Sequence, residues 1–565
     1  MARIQFSIGP VQGFISQARR TRDLWSGSFL LSYLSGCAMK SIKDKGGNIV
    51  VPSVDNDALF NWIYGKRIGE PPNIGSLPNK FTAEVKENAK DVAKAAEEEV
   101  KKAWKKIADE AWKNYVEGVS KIGKNTKEIW DRQVNGFWEI TWVISDDPMA
   151  LDNRTHWRNH YPKEEPGDQC TMMGDWQEIS GYIRAKERDK QDMFWESIMN
   201  KKNVGKLDLR VGERLCAIAL IKRMFPKVSK ESIGWEVDTR AWPSTTYIAS
   251  IPWIKEVENY EEAREYARMV RAYADGADRA GISKLFGSLE NTKNKEFVEL
   301  DGNFYFLSIL KDARLTPLND TQLNLKIGEK ENKNASDKRE KLIGKLREIY
   351  KKKKPSSFYA ILKMDGDRLG KLKEELKEKE KDSEKKVSDA LASFASDVKN
   401  IVRAHDGVTV YCGGDDVLAF LPIDHALECA YKLEKRYKES FDKIAKGDSA
   451  VSEILKKGTI SCGLVYAHHR IPLQSVLNEA SHLLDNVAKE GNGRDSIAIS
   501  VLKGSGKYCQ WVSAWDNFAD GSRIKINALL EVFKGDKKFT TSFFYKMRDM
   551  LCILGKEPFW EAGKC

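Results

Sequence analysis

From Ser357 onward the apolar positions change period several times, and each change marks an element. Ser357–Met364 is a nearly unbroken apolar run that predicts a mostly buried strand. Leu391, Phe394, Val398, Ile401 and Val402 recur on one face of an amphipathic helix. Val408–Cys412 and Val417–Leu421 predict two strands of a hairpin, with Gly413-Gly414-Asp415-Asp416 between them. A helix over Ala426–Ile444, a strand over Ile460–His468, a helix over Leu473–Lys489 and a strand over Ser496–Leu502 follow. The order is βαββαβ with an added αβ. A split βαβ sheet of this order sets the end of its first strand beside the central hairpin.

The start of the chain echoes this unit weakly. Arg3–Ile8 predicts a strand that runs into Gly9-Pro10-Val11 and a helix. Gly9 and Pro10 stand where Asp365 and Gly366 stand in the later copy, and the hairpin candidate near Gly46–Val51 carries no paired acids. The first copy is therefore expected to lack a metal centre of its own. Residues near Phe81–Trp130 predict a long charged helix whose Val85, Ala89, Val92, Ala96, Ala103, Ile107 and Ala111 form an apolar stripe. Tyr260–Leu289 also predicts helix, and Gly328–Arg339 a polar loop. Lys351–Lys354 before Pro355 predicts a linker, and the chain from Tyr508 a packed helical domain.

The carboxylates bring in chemistry. Two glycines let the hairpin reverse tightly, and two acids follow at once. Acids crowded at a turn repel one another unless a cation shares them. An ordinary surface turn also uses Gly and Asp. A second acidic site ends the strand before it, in Asp365-Gly366-Asp367-Arg368-Leu369-Gly370. A carboxylate at a strand end, followed by a glycine-rich turn into a helix, can hold a metal while backbone N–H groups meet phosphates. The topology would gather Asp365, Asp415 and Asp416 at one point, as two metal ions around a triphosphate require.

Met364–Gly370 together with GGDD resembles the palm domains of nucleotide cyclases and polymerases. The opening narrows the match. Ile8–Ile15 and Ala18–Ser28 resemble the start of the large palm subunit of type III CRISPR effector complexes, in its Cmr-type (III-B) form. Gly212-Glu213-Arg214-Leu215-Cys216, Trp242-Pro243-Ser244-Thr245 and Leu300-Asp301-Gly302 fit the same pattern. The resemblance implies an α+β chain with two ferredoxin-like palms. It divides the chain into a degenerate N-terminal palm with helical and zinc-finger-like insertions (1–255), a mainly helical link (256–354), a GGDD palm (355–505) and a C-terminal helical domain (506–565).

It further implies conversion of ATP to cyclic oligoadenylate when target RNA pairs with the guide crRNA. Partners would be those RNAs and the backbone, handle-binding and small subunits. Asp365, Asp415 and Asp416 would be the catalytic acids and the ligands of Mg²⁺ or Mn²⁺. Gly366, Asp367, Arg368, Gly370, Gly413, Gly414 and Lys489 would bind nucleotide. Asp367 could instead face away with only its backbone near phosphate. Lys489 could be a triphosphate lysine or a helix-end lysine suited to the dipole. Two facing palms would hold donor and acceptor ATP. A silent palm-fold scaffold and a stand-alone cyclase remain as alternatives.

Composition changes this picture little. The 565 residues are 41% hydrophobic and 31% charged, as expected of a globular chain, and carry a net charge of +11. That excess permits RNA contact, and Arg19-Arg20-Thr21-Arg22 is the sharpest basic cluster, readable as an RNA patch, a subunit contact or a surface helix face. No run reaches membrane-span length and no signal peptide is visible, so a cytoplasmic protein is expected. Nine scattered cysteines fit a reducing compartment. Family members often hold zinc with paired CxxC motifs. Here the segments read Cys170-Thr171-Met172-Met173 and Cys216-Ala217-Ile218-Ala219, so apolar packing rather than structural zinc is expected. The family's HD nuclease has no counterpart among seven histidines, and no DNase activity is expected. His405-Asp406 reads as coincidence.

Overall fold

The computed structural model describes residues 1–147, 150–151, 153, 165–201, 203–205, 208–238, 242–273, 287–312, 333–377, 383–444, 449–521 and 523–527. The chain divides into two compact units, 1–356 and 357–565.

The first unit is built on four strands, β1 (Ala2–Gly9), β2 (Asn48–Val51), β3 (Lys80–Val85) and β4 (Glu139–Ile144). They lie in the order β2-β3-β1-β4, all antiparallel, with Phe6 opposite both Phe81 and Trp142. Helices Thr21–Asp44 and Ala89–Ala111 fill the two crossovers. The expected long helix over 81–130 is shorter than read: Phe81–Val85 alternates buried and half-buried side chains and pairs with β1 as strand. From Ala89 the apolar stripe holds, with Val92, Ala96, Ala103, Ile107 and Ala111 buried. Helices Ala217–Ile233 and Thr245–Val257 complete the centre of this unit.

The second unit carries β5 (Phe358–Gly366), β6 (Val408–Gly413), β7 (Asp416–Leu421), β8 (Ile460–His468), β9 (Ser496–Lys503) and β10 (Gly506–Ala514). The order is β10-β9-β8-β5-β7-β6, with only β8 and β9 parallel. Within it, β8-β5-β7-β6 repeats the arrangement of the first unit, which makes the chain α+β with two ferredoxin-like sheets. Leu362 and Met364 of β5 pack with Phe394, Val398, Leu433, Tyr437 and Phe441 from helices Ser383–Ala404 and Ala426–Ile444. Residues 506–514, placed at the start of a C-terminal helical domain, instead form β10, and 528–565 of that domain lie outside the described residues. The pattern misleads there because an edge strand with an exposed face has no buried alternation to read. Of the predicted helix Tyr260–Leu289, Glu261–Tyr273 is helical and 274–286 lie outside the described residues. The loop over Gly328–Arg339 is helical from Lys333, and its earlier part lies outside them. Among the described residues no helix is long and apolar enough to cross a membrane.

Candidate functional site

Hairpin length positions the acids. Gly413 pairs with Asp416, which leaves Gly414-Asp415 as a two-residue turn. Gly414 takes φ +68, which such turns demand and glycine adopts without strain. Register then pairs Met364 of β5 with Val417 of β7, so the turn overhangs the end of β5. There Asp415 closes on Gly366. A β-carbon on Gly366 would stand 2.9 Å from Asp415 Cβ and Oδ2, and 2.7 Å from Tyr437 Oη. The Gly366 backbone also opposes the rise in the Asp415 carboxyl. Glycine is required here by close approach, not by backbone angle.

Asp365 faces another neighbour. Its carboxylate accepts a hydrogen bond from Lys489, whose ammonium also lies 3.5 Å from Gly366 O. Lys489 belongs to a helix that starts at Leu473 and widens from α to π winding over Leu483–Gly491. Such widened turns recur at functional sites. Burial, then the charges of Arg494 and Lys363, lower the Lys489 ammonium to about 8.

Same-sign crowding marks the acids of the hairpin. Burial raises the Asp415 carboxyl above its ordinary range, and Asp367 adds to the rise. Asp416 retains a solvent-exposed edge, yet enclosure, then the Asp415 charge, push its carboxyl up, with Asp485 adding to the effect and Lys363 opposing it. Among the described residues no three His, Cys, Asp or Glu side chains stand together as a ready metal cluster. Asp365 is turned to Lys489, while Asp415 meets the neighbouring peptide. The structure thus brings the strand end and the turn together, without closing the expected trio.

Asp367 departs from its expected nucleotide role. It is 3% exposed and accepts hydrogen bonds from Ser461 Oγ (2.9 Å), Thr459 Oγ1 (2.9 Å) and the Asp495 N–H (3.0 Å). Its backbone N–H donates to Thr459 O at 2.9 Å. These bonds tie it to the start of β8 and, through Asp495, to the loop before β9, where Gly493, Arg494 and Asp495 all have positive φ. Arg368, at φ +52, and Gly370 are exposed at the N-terminus of helix Leu369–Lys377, and Gly413 is buried in β6. Sequence reading missed Lys363, Asp485 and Tyr437. Lys363 stands two residues before Asp365 on one strand, and Asp485 four before Lys489 on one helix, so both were legible from period alone. Tyr437 carried no local signal.

In the first unit, residues of the quoted motifs serve the fold. Arg20 and Arg22 of the basic cluster pair with Glu213 (2.7 Å) and Asp208 (2.6 Å). The cluster therefore points partly inward at Arg20 and Arg22, while Arg19 is exposed. Arg223, fully buried, donates to Asp23 Oδ2 at 2.9 Å and lies 3.2 Å from Glu213. Cys170 Sγ accepts from the Met172 and Met173 N–H groups, and Cys216 Sγ from that of Ala219. Met173 and Ala219 are buried where second cysteines would stand in a zinc site.

The paired split-βαβ sheets and the acidic hairpin define a protein of the double-palm class. Residues 3–109 match the model of the CRISPR-associated protein Cmr2 N-terminal domain, and residues 358–498 that of the Cas10/Cmr2 second palm domain. The chain is 27% identical to the CRISPR system Cmr subunit Cmr2 of Pyrococcus furiosus, over 91% of this chain and 63% of that protein. A type III-B Cmr-beta structure in the apo state aligns with TM-score 0.60 and 15% identity, covering 98% of this chain and 76% of that one. Cmr-beta bound to cognate target RNA aligns with TM-score 0.57 and 16% identity, covering 98% and 77%. The two matched segments are similar to the Cas10/Cmr2 proteins, and the solved structures share the fold. It spans less than two thirds of the curated relative's length.

Proposed function

We propose that this chain binds ATP at the Asp365–Asp415–Lys489 site and converts it to cyclic oligoadenylate within a Cmr-type ribonucleoprotein, when target RNA is paired with the guide crRNA. The observation that carries the reading is the seating of Asp415 on Gly366, beside an Asp365 that already holds an ammonium group. The donor set fits divalent metal: hard carboxylate oxygens, with neighbouring acids that raise one another's affinity for protons. Asp365, Asp415 and Asp416 would hold Mg²⁺ or Mn²⁺, which when bound supplies Lewis acidity toward an attacking ribose hydroxyl and a departing pyrophosphate. Lys489 would exchange Asp365 for the triphosphate and stay protonated against that charge. The exposed N-terminus of helix Leu369–Lys377, with Arg368 and Gly370, offers backbone N–H groups to phosphate. Asp367 acts only by holding the Asp495 loop in place.

The test incubates the full chain, alone and assembled with crRNA and the other Cmr subunits, with ATP and Mg²⁺, with and without target RNA. RNA-dependent cyclic oligoadenylate that disappears in the Asp415→Ala, Asp416→Ala chain supports the proposal. No product from the assembled complex makes the palm a scaffold. A guanine dinucleotide made without RNA makes it a stand-alone cyclase.

A further inference from the structure

We infer that Tyr437 is a positioning residue for Asp415, its hydroxyl donating to that carboxylate when the acidic site is loaded with a divalent cation. This rests on the metal-binding reading above. Tyr437 lies in helix Ala426–Ile444 with its side chain fully buried, and its ring is fixed between Phe394 and Phe441, each at 5.0 Å between centroids. The hydroxyl at the end of this immobile ring has no hydrogen-bond partner among the described residues. A buried polar group left unpaired destabilises a fold, so its retention calls for another use.

The geometry supplies one. Tyr437 Oη and Asp415 Oδ2 both lie within 3 Å of a single point, the position that a β-carbon on Gly366 would take. Glycine keeps that gap open, and the phenol and the carboxylate face each other across it. The Gly366 backbone already lies against Asp415 on one side. A carboxylate that gives one oxygen to a cation needs the other held, or the ligand swings. Tyr437 is a neutral donor at the same gap as Asp415 Oδ2. A tyrosine phenol is an O–H donor at neutral pH. A modest turn of the Asp415 side chain toward the gap completes the bond.

Tyr437→Phe removes the hydroxyl and keeps the ring. The experiment measures Mn²⁺ affinity of the full chain by electron paramagnetic resonance, and its melting temperature with and without Mn²⁺. The expected result is a metal-free melting temperature equal to or above the parent's, with Mn²⁺ bound about tenfold more weakly. The rise in melting temperature on adding Mn²⁺ shrinks accordingly. Parent-like Mn²⁺ affinity in Tyr437→Phe overturns the inference alone. So does a lower metal-free melting temperature, because the hydroxyl would then already be paired in the unloaded fold. The Asp415→Asn, Asp416→Asn chain separates the two levels. If it binds Mn²⁺ as tightly as the parent, the metal reading falls, and the role of Tyr437 falls with it.

Discussion

The two sheets of this chain share a strand order and differ at the point where chemistry would sit. In the first, β2 and β3 are joined by residues 52–79, a connection long enough to include the helix Ala58–Ile63. In the second, Gly414 and Asp415 alone join β6 and β7. A long connection can be tolerated by the same sheet, but only the two-residue turn delivers a carboxylate onto the end of the central strand. The charges follow the same division. Asp23, Glu213 and Arg223 of the first unit are buried and matched, a structural use of charge. Asp415 and Asp416 of the second are crowded by one another, which stability alone does not favour. Topology supplies a platform, and turn length with acid placement decides whether it holds a site.

The comparison breaks first at the acids. Asp415→Asn with Asp416→Asn should lower RNA-dependent product by about 10³-fold, on the order of 4 kcal/mol in barrier. Chromatography of the ATP products checks it, and retained synthesis removes the second sheet's claim to be the active one. Next come the buried charges. Asp23→Asn takes from the buried Arg223 one of its two carboxylates, leaving Glu213, and should cost about 3 kcal/mol of folding stability. Asp367→Ala leaves Ser461, Thr459 and the Asp495 N–H without their acceptor and should cost about 3 kcal/mol. Urea unfolding of the full chain reads both, and a small loss in either would mean that water replaces the lost group.

The last glycine of each first strand gives a sharper contrast of smaller size. Gly366→Ala drives a methyl into Asp415 and Tyr437 and should cost about 2 kcal/mol. Gly9→Ala in the first sheet meets nothing closer than Glu139 O at 4.0 Å and should change stability by less than about 0.5 kcal/mol. Equal effects would show that the two strand ends are not packed differently.

The smallest effect is a pH dependence confined to the second sheet. Its Asp415 and Asp416 carboxyls lie above their ordinary range, so the folded chain holds their protons more tightly than the unfolded one. Stability is then lost as pH rises from about 4 through the raised values, and the penalty is full above them. Replacing both by Asn should raise the metal-free melting temperature at pH 7.5 by about 3 °C, with no gain near pH 4. A gain that persists at pH 4 would trace the effect to packing instead.

Much of the second sheet was legible because its strands are buried on both faces and its helices on one. Ala426–Ile444 and Ile460–His468 occur with the boundaries that periodicity predicts. Asp365 and Asp415 drew notice because acids at a strand end and a tight turn have few structural uses. For Asp367 the sequence left two directions open, because a chain leaving a strand no longer fixes which way a side chain faces, and only Ser461 and Thr459 reveal that it turned inward. β10 was missed because an exposed edge carries no apolar period. The inward pairing of Arg20 and Arg22 needed acids about 190 residues away (|i−j| = 193 and 186).

Periodicity and turn residues by themselves determined the order of elements, the two-residue reversal at Gly414, and the presence of three acids in the unit, since each depends on near neighbours along the chain. Tertiary structure alone decided which acid touches what. It set Asp415 on Gly366, Lys489 on Asp365, Asp367 in the interior and the Tyr437 hydroxyl across a gap one methyl wide. The reason is reach. Register and packing between distant segments set side-chain positions to fractions of an ångström, and no local pattern encodes that.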